Sequence, residues 1–575
     1  MKVSLRVLSA MLAALLLAAS PGPAVAAPDA IFIDADIYTL DDDQPRARAM
    51  AVEDGRIAYV GDNATALAMA DGNSTIHRMQ GHMLLPGFID THIHPLSGGA
   101  YIQTLSLDTG GSVADWLAAI EHYAGEYPGD GLIFGYGFLA SVFGAAGPHR
   151  EQIDAVVADR PVLIMDESFH GAWANTRALE VLGITRDTPD PSPGFSYYRR
   201  DAAGEPTGYL LEDAAQRAMD AFAVINEDSL VAGSAIVMDA LNSYGVTALF
   251  DAHEMDIEPF LPAVLRRLES SGDLTVRIVG SYKPAGPEQA EAAVATALDW
   301  GEHLRGPHYH YRVLKLLLDG TVEGRTAAML DHYRGEPDNR GDLNFTDAQV
   351  AAMVREAAAA GIDVHMHAIG DRAVRQGLDA VETARKASPD SSSRYTICHI
   401  EVIADEDLQR FADLDVIAQS SPLWASYDSI GKELVSDDQF QRYWRYHSLA
   451  ERGVRLTWGS DFPASGPGLG GMAPLLQMEV GITRQDPGDP NAPVQPRASE
   501  RLGVAEMIRG YTIDAAYQLH MEDEIGSIEK GKRADFVVLG DGLFEVPVHE
   551  IHAVPVESTW LGGRRVYQRS DPAQP

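Results

Sequence analysis

The sequence predicts an α/β protein whose main unit is a (β/α)8 barrel. Three observations predict this class: the length of 575 residues, eight short apolar runs, and helix-like stretches rich in Ala, Leu, Glu and Arg after most of these runs. Eight parallel strands that alternate with helices close into such a barrel. Strand-like runs at both chain ends predict a small β-sandwich domain formed by the two termini.

The eight barrel strands are predicted from apolar runs that end in polar or charged residues. The runs are MLLPGFIDTHIH, GVTALFDAHE, LTVRIVGSY, YRVLKLLLDG, GIDVHMHAIGD, YTICHIE, LDVIAQSSP and VRLTWGSDFP. The intervening stretches DAQVAAMVREAAAA and DRAVRQGLDAVETARKA show the apolar spacing of amphipathic helices. TIM-like barrels of this kind carry catalytic groups at the carboxyl ends of their strands.

The domain boundaries follow from the positions of these runs. Residues 27–82 and 525–575 are expected to form the two parts of the β-sandwich, and residues 83–524 the barrel. The segment at about 100–230 is far longer than a simple connection between neighbouring strands. We therefore expect an insertion after the first barrel strand, on the face where active sites are built.

Residues 1–26 predict a secretory signal peptide. Lys2 and Arg6 precede the apolar run VLSAMLAALLLAAS, and PGPAVA supplies a cleavage site of small residues. The run is too short to span a membrane, so we expect no stable membrane insertion after cleavage; an uncleaved anchor is the alternative. The single cysteine, Cys398, leaves no intrachain disulfide. An exported protein, periplasmic or secreted, with a large core agrees with this.

The charge balance is strongly acidic. The chain has 83 Asp and Glu against 45 Lys and Arg, and its net charge is −38. Such a charge disfavours nucleic acid and anionic membrane surfaces as partners. A small-molecule substrate is the expected partner, and a homo-oligomer stays open.

Three His-x-His pairs are separated by their positions. His92 and His94 end the first predicted strand, and alternation along a strand points both side chains to one face. The pair at 365–367 also ends a strand and supplies His367, with the first histidine pointing the same way from deeper in the barrel. The pair at 308–310 precedes its strand, so we expect it at the bottom face.

Further ligand-type residues lie at other strands. Lys315 interrupts the fourth apolar run, His399 lies at the end of the sixth, and Asp461 ends the eighth. Four histidines and a carboxylate at strand ends predict a divalent metal site, and one or two Zn²⁺ ions fit this ligand set best. We expect Asp461 to be both a ligand and the general base for a water activated by the metal.

Lys315 lies among Leu and Val residues, where an ammonium group is costly to bury. Burial lowers the pKa of a lysine, and the neutral amine can add carbon dioxide to form a carbamate that bridges two metals. An ion pair with Asp319 or Glu323 is the alternative. The sequence leaves both open.

Other catalytic arrangements are disfavoured. The sequence contains no Gly-x-Ser-x-Gly motif of a serine hydrolase. The stretch GPGLGG at 466–471 lacks the lysine and the spacing of a phosphate-binding loop. Cys398 precedes His399 in a strand, so alternation predicts that it faces away from the histidine and serves packing.

Longer motifs resemble the amidohydrolase superfamily. They are LLPGFIDTHIHP, KLLLDGTVEGRTA, HAIGDRAV, ICHIEVI and TWGSDFPA, and further matches are HGAWANTRAL, GEPTGYLLE and GSIEKGKRADFVVL. DGTVEGRTA and HAIGDRA are typical of the large subgroup that includes N-substituted formamide deformylase. The resemblance implies a distorted barrel, a flanking β-sandwich, and metal-assisted hydrolysis of C–N bonds in amides or rings.

The resemblance also implies two metal positions joined by a bridging ligand. His92, His94 and Asp461 would hold the first metal, and His367 and His399 the second, with carbamylated Lys315 between them. One departure is evident: the sequence reads CHIE where the subgroup has Ile-Glu-His. Cys398 therefore replaces an acid, and the role of this neighbour differs here.

The insertion is expected to bring substrate-binding side chains to the barrel mouth. The candidates are aromatic, charged and histidine residues of the insertion and the strand ends: Tyr136, His170, Trp173, Arg325, Asp371 and Trp424. The alternative is that the aromatic residues build the core of the insertion and that Arg325 and Asp371 fix loops.

These features favour an exported metal-dependent amidohydrolase that cleaves an amide, N-formyl or cyclic amide bond of a small molecule. The same site would also suit an esterase or lactonase. An exported binding or regulatory protein without turnover is a third hypothesis, and the complete ligand set speaks against it.

Overall fold

The computed structural model describes residues 27–102, 104–253, 257–426, 428–464 and 468–570. The predicted signal peptide lies outside the described residues. Within the described part of the chain, no helix has both the length and the apolar composition needed to cross a membrane.

The strands fall into four groups along the chain. The first group is β1 (Ala30–Ile33), β2 (Asp36–Tyr38), β3 (Arg46–Ala47), β4 (Ala49–Glu53), β5 (Arg56–Gly61), β6 (Thr75–Arg78) and β7 (Met83–Pro86). After β8 (Phe88–Ile93) come β9 (Leu105–Ser106), β10 (Ile133–Phe138), β11 (Val162–Asp166), β12 (Gly171–Ala174), β13 (Tyr198–Arg200) and β14 (Pro206–Leu211). The third group is β15 (Val246–Asp251), β16 (Arg277–Tyr282), β17 (Tyr309–Leu317), β18 (Asp363–Ala368), β19 (Tyr395–His399), β20 (Val416–Ser420) and β21 (Leu456–Trp458). The last is β22 (Phe536–Leu539), β23 (Val556–Leu561) and β24 (Arg564–Gln568).

The α-helices lie between and after these strands. Up to β15 they are α1 (Asn63–Ala68), α2 (Pro95–Tyr101), α3 (Val113–Glu126), α4 (Arg150–Asp154), α5 (Thr176–Leu182), α6 (Asp213–Ala221) and α7 (Glu227–Ser243). After β15 they are α8 (Leu261–Ser271), α9 (Ala293–His303), α10 (Asp347–Ala360), α11 (Asp371–Ala387), α12 (Leu408–Asp413), α13 (Ser429–Leu434), α14 (Asp437–Phe440), α15 (Tyr446–Ala450), α16 (Pro474–Thr483), α17 (Val504–Gly510) and α18 (Ile513–Gln518). Short 3-10 helices occur at Ala140–Ala146, Pro287–Gln289, Pro422–Ala425, Gly470–Met472, Ala498–Glu500 and Val548–Ala553.

Eight parallel strands form a nearly closed barrel. Their order in the sheet is β8, β15, β16, β17, β18, β19, β20 and β21. Backbone bonds join the two end strands: the Asp461 N–H donates to the His92 carbonyl at 2.7 Å, and the His94 N–H donates to the Phe462 carbonyl at 2.9 Å. The predicted (β/α)8 barrel is confirmed, and its closing bonds lie beside three of the predicted ligands.

A separate six-stranded sheet lies between the first and second barrel strands in sequence. Its order is β13, β14, β12, β11, β10 and β9. Apolar cores cover both of its faces, one around Tyr136 and Met165 and the other around Trp116 and Trp173. This segment therefore buries its own apolar residues as well as standing at the barrel mouth.

Two further sheets contain the strands of the chain ends. The four-stranded sheet has the order β5, β4, β1 and β6, and the six-stranded sheet has the order β24, β23, β22, β7, β2 and β3. Phe32 of the first sheet contacts Phe536 and Trp560 of the second, with ring centroids 4.9 and 5.0 Å apart. Buried Arg277 of β16 makes a two-pronged ion pair with Asp535, at 2.7 and 3.1 Å, which ties the barrel to these sheets.

Helix α2 starts directly after His94, with Pro95 in its first turn. The helix packs against α7 at a point where two glycines face each other, Gly99 and Gly233. A Cβ on Gly99 would lie 2.6 Å from the carbonyl carbon of Gly233. Only glycine permits this approach, and the packing fixes the helix that follows a predicted ligand.

Candidate active site

All six predicted metal ligands line one cavity at the carboxyl ends of the barrel strands. The cavity has a volume of about 440 Å³, and the ligands on its wall are His92, His94, Lys315, His367, His399 and Asp461. The strand-end rule therefore brings together side chains that are distant in the sequence. His308 of the third His-x-His pair lies elsewhere and contacts Glu269 at 2.8 Å.

His92, His94 and Asp461 form the first cluster of ligand atoms. The Asp461 Oδ1 atom lies 3.5 Å from His92 Nε2 and 3.4 Å from His94 Nε2. The ligand atoms of this trio all lie within 4.8 Å of one another. The backbone of Asp461 is left-handed, with φ of +54°, which turns its carboxylate away from the regular strand direction.

The orientation of each imidazole in this cluster is fixed by its other ring nitrogen. His94 Nδ1 contacts the carbonyl oxygen of His253, so it carries a proton and donates it. His92 Nδ1 lies 3.0 Å from His365 Nε2. Both contacts leave Nε2 directed toward Asp461. Metal-binding histidines have their second nitrogen held in this way, which fixes the tautomer.

His367 and His399 form the second part of the site, with ring centroids 4.5 Å apart. His399 Nδ1 lies 3.7 Å from Asp461 Oδ2. This nitrogen is buried and has no hydrogen-bond partner among the described residues. Buried polar atoms are nearly always paired, so the orphaned nitrogen fits a ligand in this space.

The protonation states suit metal binding. Burial, reinforced by neighbouring positive groups, holds the pKa values of His92, His365 and His367 well below the usual range. Burial also lowers the pKa of His399, to about 3. For Asp461, burial opposes ionisation, but the contact with His94 and the nearby His399 and Lys315 prevail and lower the pKa. Neutral imidazoles around a carboxylate are the donor set that zinc prefers.

Lys315 is buried inside this donor set. Its Nζ atom lies 3.2 Å from His92 Nε2 and 3.7 Å from Cys398 Sγ. Burial lowers the pKa of this lysine. Among the described residues it forms no ion pair with Asp319 or Glu323. The amine points instead into the cluster of ligand atoms.

Asp319 is engaged by the backbone. Its carboxylate accepts hydrogen bonds from the N–H groups of Ala328, Ile369 and Gly370, at 2.8 to 3.0 Å. Burial nevertheless raises its pKa to about 7. Asp319 thereby connects the loops after β17 and β18 and lies 3.8 Å from His367 Nε2.

The prediction for Cys398 is wrong. Strand β19 is regular up to this residue, which pairs with His367 of β18 and points into the barrel toward Lys315. The next two residues, His399 and Ile400, have φ of +69° and +48°. Alternation therefore fails at His399, because the left-handed backbone turns its ring back toward the same space. Burial raises the pKa of the Cys398 thiol to about 12.

His170, directly before β12, lines the cavity, and its ring centroid lies 5.4 Å from that of His367. Its Nδ1 donates to Glu212 Oε2 at 2.7 Å, and Thr326 donates to the other oxygen of Glu212 at 2.8 Å. Burial alone would lower the pKa of His170, but the charge and hydrogen bond of Glu212, together with the charges of Asp166 and Asp461, outweigh it and raise the pKa to about 9. The cavity therefore has a cationic imidazole on its wall.

A family model for the amidohydrolase family matches residues 79–567. The chain belongs to the amidohydrolase family. It is 27% identical over 550 residues to the putative amidohydrolase YtcJ of Bacillus subtilis, covering 93% of this chain and 98% of the relative. It is 26% identical over 556 residues to the N-substituted formamide deformylase of Arthrobacter pascens, covering 94% and 99%.

A solved structure shares the fold of this amidohydrolase. An uncharacterized metal-dependent hydrolase from Pyrococcus horikoshii superposes with a TM-score of 0.70 at 24% identity, covering 90% of this chain and 99% of that chain. The resemblance found in the sequence is thus confirmed over most of the chain. The amidohydrolase is an enzyme that hydrolyses carbon–nitrogen bonds.

The predicted substrate-binding residues divide into two groups. His170 and Trp424 line the cavity of the amidohydrolase, and the Trp424 ring stacks on His399 with centroids 5.4 Å apart. The other four are Tyr136 and Trp173 in the apolar cores on the two faces of the sheet β9–β14, Arg325 in an ion pair with Glu336, and Asp371 in an ion pair with Arg442. These four do not line the described cavity, so their contact with substrate stays a prediction.

Several cavity residues were missed by the reasoning from sequence. His253 follows β15, Lys283 follows β16, and Glu258 lies 3.4 Å from the His253 ring. The strand-end rule already pointed to the first two, since both come directly after barrel strands. The strand-end rule could not predict Trp300, because this residue reaches the cavity from helix α9.

Proposed function

We propose that this amidohydrolase uses a divalent metal centre to hydrolyse an amide, N-formyl or cyclic amide bond of a small molecule. The observation that carries the proposal is the convergence of four imidazoles, a carboxylate and a buried lysine on one cavity. The orphaned Nδ1 of His399 supports a ligand among them. A cavity of about 440 Å³ is of the size that small-molecule sites have.

His92, His94 and Asp461 would hold one metal, and His367 and His399 the second, with zinc as the expected ion. A bound divalent metal polarises a carbonyl oxygen and lowers the pKa of water to about 7. Lys315 is proposed to carry a carbamate between the two positions. The burial of the amine and its lowered pKa support this, because only an uncharged amine adds carbon dioxide.

Asp461 is proposed to move the proton of the reaction. Its carboxylate takes a proton from the attacking water and delivers it to the leaving nitrogen, which departs as an amine. The lowered pKa of Asp461 keeps it ionised and ready to accept. His170, held by Glu212, directs its other N–H into the cavity and stabilises the negative charge that develops on the carbonyl oxygen.

The apolar part of the cavity wall supports a substrate with an apolar substituent. Trp424 and Trp300 stand on the wall, with Lys283 and Glu258 as charged neighbours. We propose an uncharged amide or formamide with one such substituent. Nucleic acid as a partner stays disfavoured by the net charge of −38.

The sequence patterns at the two chain ends support export and a division into domains. We propose that residues 1–26 direct the protein to the periplasm or the medium, where no disulfide is needed. We also propose that the two sheets of the chain ends form one β-sandwich and that residues at about 100–230 are an insertion into the barrel. Assembly into a homo-oligomer is a further proposal that gel filtration can test.

The decisive experiment pairs a substrate screen with Asp461→Asn. The wild-type chain is expected to hydrolyse N-formyl or N-acyl amines, and the variant to lose about 10² to 10⁴-fold in kcat/KM because the proton carrier is gone. Asp438→Asn, an exposed aspartate on α14, is the matched control and should retain full activity. Unchanged activity of Asp461→Asn, or cleavage of esters but no amide, contradicts the proposal.

A further inference from the structure

We propose that Cys398 is a metal ligand of this centre, donating a thiolate beside His92 and His399. The inference rests on the proposed metal-dependent function and deepens it. It concerns a residue of this chain where, by the sequence motifs, an acid is expected.

The backbone places two consecutive residues of β19 on the same side. Cys398 points inward as part of the regular strand, in register with His367. His399 points inward because its own φ is +69°. Both residues are buried, and both face the space that Lys315 enters. Packing of Cys398 alone does not require that the next residue, His399, also faces this space.

The sulfur is close enough to join the metal at either position, beside His92 or beside His399. The sulfur of Cys398 and one ring nitrogen each of His92 and His399 all lie within 4.8 Å of one another. Ligands of a tetrahedral zinc lie about 3.5 Å apart, given Zn–S of about 2.3 Å and Zn–N of about 2.0 Å. Side-chain movements of about 1 Å close the difference, well within ordinary rotations about χ1.

A second observation points to a ligand here. His399 Nδ1 is buried and has no hydrogen-bond partner in the described ranges, and it lies 3.7 Å from Asp461 Oδ2. An unpaired buried nitrogen costs on the order of 1–3 kcal/mol. Coordination removes this cost. A thiolate beside imidazole donors selects zinc over harder ions such as magnesium.

When the metal binds, the S–H bond of Cys398 breaks and an S–metal bond forms. The proton leaves to solvent. No oxidant or reductant is needed. Metal binding is therefore expected to release one proton more in the wild type than in a variant without the thiol.

The test is X-ray absorption at the zinc edge on the zinc-loaded full chain, with metal content measured on the same sample. The wild type is expected to show a sulfur scatterer at about 2.3 Å beside nitrogen and oxygen at about 2.0–2.1 Å. Cys398→Ser should lose the sulfur and bind zinc at least about tenfold more weakly. Thr396→Ser, two residues earlier on the same inward face, is the matched control and should keep the sulfur.

The outcomes separate this inference from the proposed function. A zinc-loaded, active wild type with only nitrogen and oxygen scatterers overturns the ligand role of Cys398 and leaves the amidohydrolase function standing. A chain that binds no metal overturns both. If Cys398→Ser misfolds, the wild-type spectrum alone still decides. The cobalt form adds an independent readout: a near-ultraviolet sulfur-to-metal absorption band in the wild type that Thr396→Ser keeps.

Discussion

The contact between α2 and α7 gives a sharp test of how the fold positions the site. Gly99→Ala adds a Cβ that would lie 2.6 Å from the carbonyl carbon of Gly233, whereas ordinary contacts begin at 3.4 Å. The neighbouring atoms are backbone and cannot rotate away. The two helices must therefore separate by about 0.8 Å. Since α2 starts right after His94, the imidazole of His94 moves with it.

The expected effect is small on stability and large on activity. Overpacking costs about 1–3 kcal/mol, while alanine gains about 1 kcal/mol over glycine inside a helix. The free energy of unfolding should thus fall by no more than about 2 kcal/mol. A displacement near 1 Å of a group that positions the reaction costs on the order of 100-fold in rate.

The assay compares urea unfolding, metal content and kcat/KM for Gly99→Ala and a matched glycine. Gly125 lies in the last turn of α3, and no atom lies within 4 Å of a Cβ added there. Gly125→Ala should retain full activity and gain up to about 1 kcal/mol. If Gly99→Ala keeps the kcat/KM of the wild type, the coupling between helix packing and His94 is refuted.

Two further predictions concern ion pairs. Arg277→Met leaves Asp535 buried and unpaired, so the free energy of unfolding measured in urea should fall by about 3–5 kcal/mol. The control Arg267→Met removes an exposed ion pair and should lower the free energy of unfolding by no more than about 1 kcal/mol. Equal losses in the two variants would contradict the prediction. Because Glu212 raises the pKa of His170 from 6.5 to about 9, the pair stabilises the fold below pH 6.5 and this stability, about 3 kcal/mol, is lost as pH rises through 9. Glu212→Gln should remove that pH dependence from urea unfolding measured at pH 6, 7.5 and 9, and a dependence unchanged by the substitution would show that another group causes it.

The strand-end rule is the reason that so much of the site followed from the sequence. His92, Lys315, His367 and Asp461 lie in or after apolar runs that are easy to recognise, and the barrel geometry makes their carboxyl ends converge. Side chains alternate between the two faces of a strand, so the sequence predicted which residues share a face. This alternation is regular in β19 up to Cys398. These features are local in the chain, so a single sequence contains them.

The failures have physical causes as well. The left-handed backbone at His399 could not be predicted from its residue type, because histidine is enriched at positive φ but adopts it in only a small minority of cases. Tyr136 and Trp173 look the same in sequence whether they line a cavity or fill a core, since both uses bury an aromatic ring. Trp300 enters the site by packing of a helix onto the barrel, which is set by tertiary contacts alone.

The metal content of the purified full chain tests the central claim most directly. Elemental analysis should find about two zinc ions per chain, and their removal by a chelator should abolish hydrolysis that zinc then restores. A value near one would leave Lys315 as an amine without a bridging role. A chain that contains no metal, and that hydrolyses its amide substrate equally well after chelation, would contradict the account.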